Sequence, residues 1–248
     1  MTPLISLVLA LRNERGGVEA IFRDVEELAD YRIEMIFVEG GSTDGTYEEI
    51  ARLAALPWRH QAVLLKQDGV GKKDAVVKGL RHATGDLVFV YDADGEIAGS
   101  ELPRFFDALA RDRELFLNST RFRLPMVKKM NLINRIGNVG FVFLMSAMVG
   151  SWLSDPLCGL KGTWREHYLR MLEVGVFDND LDRFAEFDQL FGAKRLGLRI
   201  RELPIVYRHR RYGASKVRRL KVGWQLLRRI AAEAGYRAGL SGRARPAR

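Results

Sequence analysis

Two aspartates with one residue between them, Asp92 and Asp94, end the apolar run Leu87-Val88-Phe89-Val90-Tyr91, and a third acid, Glu96, follows Gly95. Hard oxygen donors at that spacing suit a divalent ion, Mg2+ or Mn2+, and such an ion is commonly shared with a diphosphate. The same tripeptide also makes ordinary turns, so its chemistry depends on where the chain puts it. Glu39 ends a second apolar run, Met35-Ile36-Phe37-Val38. Later in the chain come the acids Asp155, Glu186 and Asp188 and the cations Arg121, Arg210 and Lys216. Cys158 is the single cysteine, which excludes an internal disulfide and makes a reducing compartment the default. A lone thiol of this kind is expected to be a small core residue, and a nucleophile only beside a histidine.

The acids need a scaffold, and the runs that carry them supply one. Five apolar residues bounded by Gly85-Asp86 and Gly95 are too short for a membrane span and read as a strand buried on both faces of a parallel sheet. Leu4 to Leu11, Met35 to Val38 and Ala62 to Leu65 read as three earlier strands. Between them, Val18, Ile21, Phe22, Val25 and Leu28 recur at helical spacing, Thr46-Tyr47-Glu48-Glu49 reads as a capping box, and Asp74 to Ala83 is expected to be helical. Strand and helix in alternation with short loops predict a doubly wound, mostly parallel α/β sheet with right-handed crossovers. Its ligands bind at the carboxyl ends of the strands, where Glu39, Asp92 and Asp94 stand.

The second half is less regular. Leu115 to Ser119 and Gly159 to Thr163 are candidate strands, Val127 to Trp152 one or two helices with a wide apolar face, and Phe184 to Leu196 another helix. Leu198 to Tyr207 is extended, with Pro204 pointing to a sheet edge. Val217 to Tyr236 reads as a basic helix, and Ser241 to Arg248 as a disordered end. Gly69-Val70-Gly71-Lys72-Lys73 is neither a P-loop, which needs Ser or Thr after the lysine, nor a dinucleotide fingerprint, since Asp74 stands where the third glycine belongs. Lys72 or Lys73 either reaches a phosphate or is simply solvated.

The chain's +9 net charge is uneven: residues 208–248 hold thirteen Lys or Arg against Glu233 alone, so the other 207 residues carry −3. A basic tail predicts an anionic partner. Nucleic acid is not expected, because no reader motif is present and the acidic body would repel a phosphate backbone. The N-terminus lacks a charged leader, which argues against a signal peptide.

Seven segments fall in one order: Arg12-Asn13-Glu14-Arg15; Val38 to Thr46; Gly71-Lys72 with His82 to Asp86; Asp92-Ala93-Asp94; Ser119-Thr120-Arg121; Asp155 to Gly159; and Arg210 to Lys216. Together, from about Ile5 to Lys216, they resemble glycosyltransferase family 2 with the GT-A fold, on the branch of dolichyl- or polyprenyl-phosphate mannose and glucose synthases. The resemblance implies a GT-A domain over 1–216, followed by a basic amphipathic helix and tail over 217–248. It implies transfer of a hexose from a UDP- or GDP-linked sugar to a polyprenyl or dolichyl phosphate, metal-dependent and inverting. A soluble hydroxyl acceptor is the alternative.

By the same resemblance Asp92, Asp94 and Glu96 hold Mg2+ or Mn2+, or Asp92 faces the ribose and leaves Asp94 as main ligand. Ala10, Arg12, Glu14, Val38, Glu39, Asp92, Ala93, Arg210 and Lys216 line the nucleotide donor. Family members usually show Pro-x-Tyr at the first motif and two acids at the second, where this chain has Ala10-Leu11-Arg12 and Glu39-Gly40. A guanidinium at Arg12 can stack on a base as an aromatic ring would. Arg121, Arg210 and Lys216 would stabilise the diphosphate and the acceptor phosphate. Asp155 and Asp188 are the candidates for a general base toward a hydroxyl; toward an anionic phosphate no base is needed, and they would instead position cations.

A lipid acceptor requires contact with a bilayer. The region from Lys128 to Trp152 offers Met130, Ile133, Ile136, Phe141, Phe143, Leu144 and Met148, with Lys128, Lys129 and Arg135 nearby. The basic helix sets Leu220, Trp224, Leu227, Ile230 and Ala231 near one face, amid Arg218, Arg219, Lys221, Arg228 and Arg229. The expectation is a peripheral protein on an anionic membrane surface, on its cytoplasmic side.

Overall fold

The computed structural model describes residues 2–122, 132–206 and 219–237. Among them seven strands form one sheet: β1 (Leu4–Leu11), β2 (Arg32–Glu39), β3 (Gln61–Lys66), β4 (Leu87–Val90), β5 (Leu115–Thr120), β6 (Lys161–Trp164) and β7 (Arg199–Pro204). Their spatial order is β3-β2-β1-β4-β6-β5-β7. Among these strands β6 alone runs against the others, between β4 and β5. The mostly parallel sheet expected from the alternating pattern is present, and β7 with Pro204 lies at its edge, as proline requires.

Among the described residues eight α-helices cover both faces: α1 (Arg15–Glu26), α2 (Thr46–Ala54), α3 (Lys72–His82), α4 (Leu102–Ala110), α5 (Leu132–Val149), α6 (Arg165–Glu173), α7 (Glu186–Arg195) and α8 (Arg219–Arg237). The strand pleat sorts the core into two layers. Ile5, Leu7, Leu9 and Leu11 of β1 face α1, α2 and α4, together with Leu87 and Phe89 of β4. Val8, Val88 and Val90 face the other way, toward α3, α5, α6 and α7. Both strand faces are therefore buried, which is why these runs are continuously apolar.

Two details differ from the sequence reading. The turn before α2 is not a capping box: Gly45, in a left-handed conformation, precedes the helix, and Asp44 rather than Thr46 accepts the first amide, from Thr46 N at 3.0 Å. The apolar stripes Leu102, Phe105, Phe106, Leu109 and Tyr168, Met171 belong to α4 and α6, which the sequence reading left unassigned. One buried carboxylate stitches the amino ends of the strands together. Glu34 accepts from Ser6 Oγ at 2.5 Å, Thr84 N at 2.7 Å and Thr84 Oγ1 at 2.8 Å. Burial works against its charge, but these hydrogen bonds outweigh it and hold its carboxyl below the ordinary value.

Candidate active site

Strand order reverses at β1: one crossover leads outward to β2, a later one back to β4 on the other side. That switch point opens a crevice at the carboxyl ends of β1 and β4, tied by the Tyr91 amide donating to Val8 O at 2.9 Å. Ala10 and Val38 pair in register at this end of β1 and β2, as do Leu11 and Glu39. Arg12 follows β1 and is exposed, while Glu14 is buried. Asn13 takes a left-handed φ of 52° and is laced to the β2–α2 loop: its amide donates to Ser42 Oγ at 2.9 Å and its side-chain oxygen accepts from Thr43 N at 2.8 Å. Glu14 N donates to Thr46 Oγ1 at 3.0 Å. Glu39, itself buried, accepts from Ser42 N at 2.5 Å. The first two motifs thus form one bonded rim around the crevice.

Asp92, just past β4, belongs to a row of alternating charges. Lys72, the first residue of α3, donates to Asp92 Oδ1 at 2.5 Å and to Glu186 Oε1 at 2.7 Å. Lys161, fully buried on β6, donates to Glu186 Oε2 at 2.9 Å and to the Cys158 carbonyl. The antiparallel entry of β6 makes this possible, because it brings the start of that strand beside the end of β4, with Lys161 opposite Val90. Gly159 completes the fit: a Cβ there would stand 1.7 Å from Asp92 Oδ2. Burial disfavours the Lys72 ammonium, yet Asp92 and Glu186 outweigh it and hold its pKa above the lysine range. Burial likewise opposes the Glu186 charge, and Lys161 and Lys72 overcome it, leaving its carboxyl below the ordinary value. Lys73 turns away from the crevice. Its buried Nζ lies 3.7 Å from Asp188 and finds no hydrogen-bond partner among the described residues.

Ala93 is buried, and Asp94 Oδ1 accepts from Glu96 N at 3.1 Å across the Gly95 turn. Among the described residues no three His, Cys, Asp or Glu side chains are grouped to hold a metal ion, so Asp92, Asp94 and Glu96 do not form a ready three-carboxylate cage. The donor set still suits Mg2+ or Mn2+ of the kind that takes one or two carboxylates and completes its shell with phosphate oxygens and water.

At the end of β5, Arg121 and Asp155 make a two-pronged pair, Nε to Oδ2 at 2.6 Å and a terminal nitrogen to Oδ1 at 2.7 Å, and the Arg121 amide adds a third bond at 3.2 Å. The loop is held from behind by buried Glu202 of β7, which accepts from Ser154 N, Ser154 Oγ, Asp155 N and Asn118 Nδ2. Both oxygens of Asp155 are therefore spent on Arg121, an arrangement for aiming a cation. Asp188 is fully buried on α7, with Oδ1 accepting from Arg229 Nε at 2.6 Å and both oxygens in reach of Asn179 Nδ2. Burial, with Asp182 adding repulsion, pushes its carboxyl up to about 7. Cys158 is a core residue whose thiol burial pushes up to about 12, with Ser119 Oγ donating to the sulfur.

Arg210 and Lys216 lie outside the described residues, as do Lys128, Lys129, Met130 and Arg218. Of the basic helix, Arg229 and Ile230 were expected at its surface; both are buried, Arg229 on Asp188 and Glu233 and under the Phe191 ring. Among functional candidates the sequence reading missed Lys161 and Glu202, and it named Gly159 only as the end of a segment, without its fit against Asp92. A lysine inside the buried run Leu160-Lys161-Gly162 was the available signal for the first.

The sequence model of glycosyl transferase family 2 matches residues 6–168, about two thirds of the chain. The chain belongs to that family. Among curated relatives, a UDP-N-acetylglucosamine--dolichyl-phosphate N-acetylglucosaminyltransferase of Methanococcus voltae is 23% identical over 245 residues, covering 92% of this chain and 94% of the relative. A dolichyl-phosphate hexose transferase of Haloferax volcanii is 26% identical, with 83% of each chain covered. An undecaprenyl-phosphate 4-deoxy-4-formamido-L-arabinose transferase of Sodalis glossinidius is 24% identical over 88% of this chain, which spans 64% of that longer relative. In structure, glucosyl-3-phosphoglycerate synthase from Mycobacterium tuberculosis, solved with Mn2+, UDP and glucosyl-3-phosphoglycerate, superposes with a TM-score of 0.70 at 20% identity, covering 97% of this chain and 81% of that one. Mannosyl-3-phosphoglycerate synthase from Rubrobacter xylanophilus gives 0.65 at 19% identity, covering 99% and 78%. As a family 2 member the protein is a glycosyltransferase.

Proposed function

We propose that the protein transfers a hexose, or a hexose derivative, from a nucleoside diphosphate sugar to a polyprenyl or dolichyl phosphate. The observation that supports this most is the match, over most of both chains, to two relatives named for transfer to dolichyl phosphate. In this reading the nucleoside occupies the rim built by Ala10, Arg12, Glu14, Val38 and Glu39, and Asp92, Ala93 and Asp94 meet the ribose and diphosphate side. Asp94, with Glu96 beside it, would hold Mg2+ or Mn2+, which when bound offsets charge gathering on the departing diphosphate. Arg121, held by Asp155, would meet the diphosphate or the acceptor phosphate, with Arg210 and Lys216 proposed as further cations.

An acceptor phosphate is already anionic, so transfer with inversion needs no proton removed from it. The engagement of Asp155 by Arg121 and of Asp188 by Arg229 fits that chemistry, since neither acid is left open to act as a base. Both are proposed as positioning residues. The acceptor also implies a membrane surface. Among the described residues no helix is long and apolar enough to cross a bilayer. Phe143 and Trp152, in edge contact at 5.7 Å, are each 60% exposed, and Trp224 on α8 is 64% exposed, with Leu144, Leu227 and Arg228 also at the surface. Exposed aromatics with basic neighbours support peripheral docking on an anionic leaflet.

The test is to incubate the protein with UDP- and GDP-sugars, Mn2+ and a short-chain polyprenyl phosphate. Lipid-dependent donor consumption is expected, and it should vanish in Asp94→Ala. Consumption that ignores the lipid phosphate would overturn the reading. A second reading, transfer to a hydroxyl of a small acceptor, is favoured by the likeness to synthases named for phosphoglycerate glycosides, and phosphoglyceric acid in place of the lipid separates the two.

A further inference from the structure

We propose that Arg229 of α8 is a positioning residue for the donor end, acting through Asp188 and the first turn of α7. An anionic bilayer under the outer face of α8 helps hold it there, so bilayer contact and donor binding reinforce one another. This rests on the reading of the crevice as a nucleoside diphosphate site and of α8 as a membrane contact. The two faces of α8 carry different chemistry. Among its described side chains the buried ones are Arg229, Ile230 and Glu233, which share one side of the helix. Trp224, Leu227, Arg228 and Ala231 recur at i, i+3, i+4 and i+7 on the opposite side and are exposed. Charge seats the inner side on α7. Arg229 Nε donates to Asp188 Oδ1 at 2.6 Å and Arg229 Nη1 to Glu233 Oε2 at 3.1 Å, while Arg195 of α7 grips Glu233 with two bonds, at 3.0 and 2.6 Å. The Phe191 ring of α7 lies 4.7 Å from the Arg229 guanidinium.

The first turn of α7 faces two ways. Glu186 belongs to the row that holds Asp92 at the crevice, and Asp188, two residues on, takes Arg229. Ala185, just ahead of the turn, has a φ of 67°, a conformation that residues with a Cβ adopt at a cost. Buried Asp182 offsets that cost by accepting from the amides of Phe184, Ala185, Phe187 and Asp188. The turn is therefore held by its partners, and Arg229 is the partner that α8 supplies. A buried ion pair offsets its own dehydration only narrowly, so seated and lifted α8 are two states that a second contact can bias. Seated α8 packs on α5 as well as on α7, which makes its exposed Trp224 and Leu227 part of one body with the exposed Phe143, Leu144 and Trp152. A bilayer that meets both helices favours the seated state, since a lifted α8 no longer travels with that body. Lipid suits this face better than a second copy of the chain. Residues 208–248 hold thirteen Lys or Arg against Glu233 alone, which draws an anionic surface and repels the same tail on another molecule.

The test measures UDP and GDP affinity by calorimetry in Mg2+ buffer, alone and with phosphatidylglycerol or phosphatidylcholine vesicles. It compares wild type, Arg229→Met, Arg229→Lys and the triple variant Arg229→Met, Trp224→Ser, Leu227→Ser; melting temperatures report folding. Without vesicles Arg229→Met is expected to lose about five- to thirtyfold in diphosphate affinity, the scale of coupling carried between sites, and Arg229→Lys less. Phosphatidylglycerol vesicles should restore about half of that loss or more on a logarithmic scale, and phosphatidylcholine vesicles little. The two added serines should abolish the restoration. Affinity of Arg229→Met within about twofold of wild type would overturn the proposal, as would a loss that anionic vesicles leave unchanged, because lipid does not repair a merely local packing defect. Restoration by raising the protein concentration in place of vesicles would make a second copy the occupant and overturn it too. A wild type that binds neither diphosphate refutes the donor-site reading beneath the proposal, and one that anionic vesicles fail to sediment refutes the membrane reading; separate measurements tell these apart. If Arg229→Met does not fold, Arg229→Lys, which keeps the charge without the guanidinium fork that reaches both acids, decides by the same vesicle comparison.

Discussion

Replacing Gly159 by alanine separates folding from donor binding at one atom. The new Cβ would lie 1.7 Å from Asp92 Oδ2, 2.3 Å from its Cγ and 3.0 Å from its Cβ. An ordinary carbon–oxygen contact needs about 3.3 Å, so the carboxylate must move by more than 1 Å. Turning the side chain alone is not enough, because the Asp92 Cβ is itself too near, and the β4 end must give as well. Overpacking of this kind costs about 1–3 kcal/mol, which for a chain of this size lowers the melting temperature by about 2–12 °C. The displaced carboxylate also leaves Lys72, and a hydrogen bond to a charged group is worth about 1.5–3 kcal/mol. Gly159→Ala is therefore expected to fold, to melt a few degrees early, and to lose about ten- to a hundredfold in kcat/KM for the donor. Circular dichroism melts and initial-rate kinetics measure both. A variant with wild-type kcat/KM and a melting temperature within 1 °C would refute the close approach of Gly159 to Asp92.

Asp188 supplies a pH prediction. Its folded pKa of about 7 lies above the ordinary aspartate value of 3.8, so between the two the folded protein keeps a proton that the unfolded chain has lost. Raising the pH through this window lowers stability, and Asp188→Asn should remove that part of the slope; an unchanged slope between pH 5 and 8 counts against it. Glu202→Ala strips the acceptor from Ser154 N, Asp155 N and Asn118 Nδ2, for about 2–4 kcal/mol. A fall of about 5–15 °C in melting temperature is expected, and one under 2 °C would contradict it. The triple variant Phe143→Ser, Trp152→Ser, Trp224→Ser should sediment with anionic vesicles at least about tenfold more weakly, whereas equal sedimentation would move the docking surface elsewhere.

The amino-terminal half of the sheet was legible because local pattern and global placement coincide there. Leu4 to Leu11 and Leu87 to Val90 are buried on both faces, so their composition alone announces strands of a parallel sheet, and Glu39 and Asp92 fall at the carboxyl edge of that sheet as their positions after apolar runs require. Lys161 was harder to read. The short run at Gly159 to Thr163 signals a strand, but nothing local gives its direction, and only the antiparallel entry carries Lys161 to Glu186. The tail misled for a related reason. Periodicity reads a basic helix as a solvated face, and it cannot tell Arg228, which is exposed, from Arg229, which is 3% exposed and paired with an acid 41 residues earlier. Asp155 and Asp188 were recognisable as acids of interest, while their partners depended on contacts of long sequence separation.

The pairing of Arg229 with Asp188 also sets an order of events during synthesis. Chains fold from the N-terminus as they emerge, so α7 is made well before α8. Until Arg229 arrives, Asp188 faces burial with Lys73 3.7 Å away and no guanidinium, and a buried carboxylate short of its partner is costly. The first turn of α7 carries Glu186 as well as Asp188, one toward the crevice and one toward the late helix. Docking of α8 therefore also braces the turn that carries Glu186, so the row that holds Lys72 is tied to an element synthesised after every member of the row.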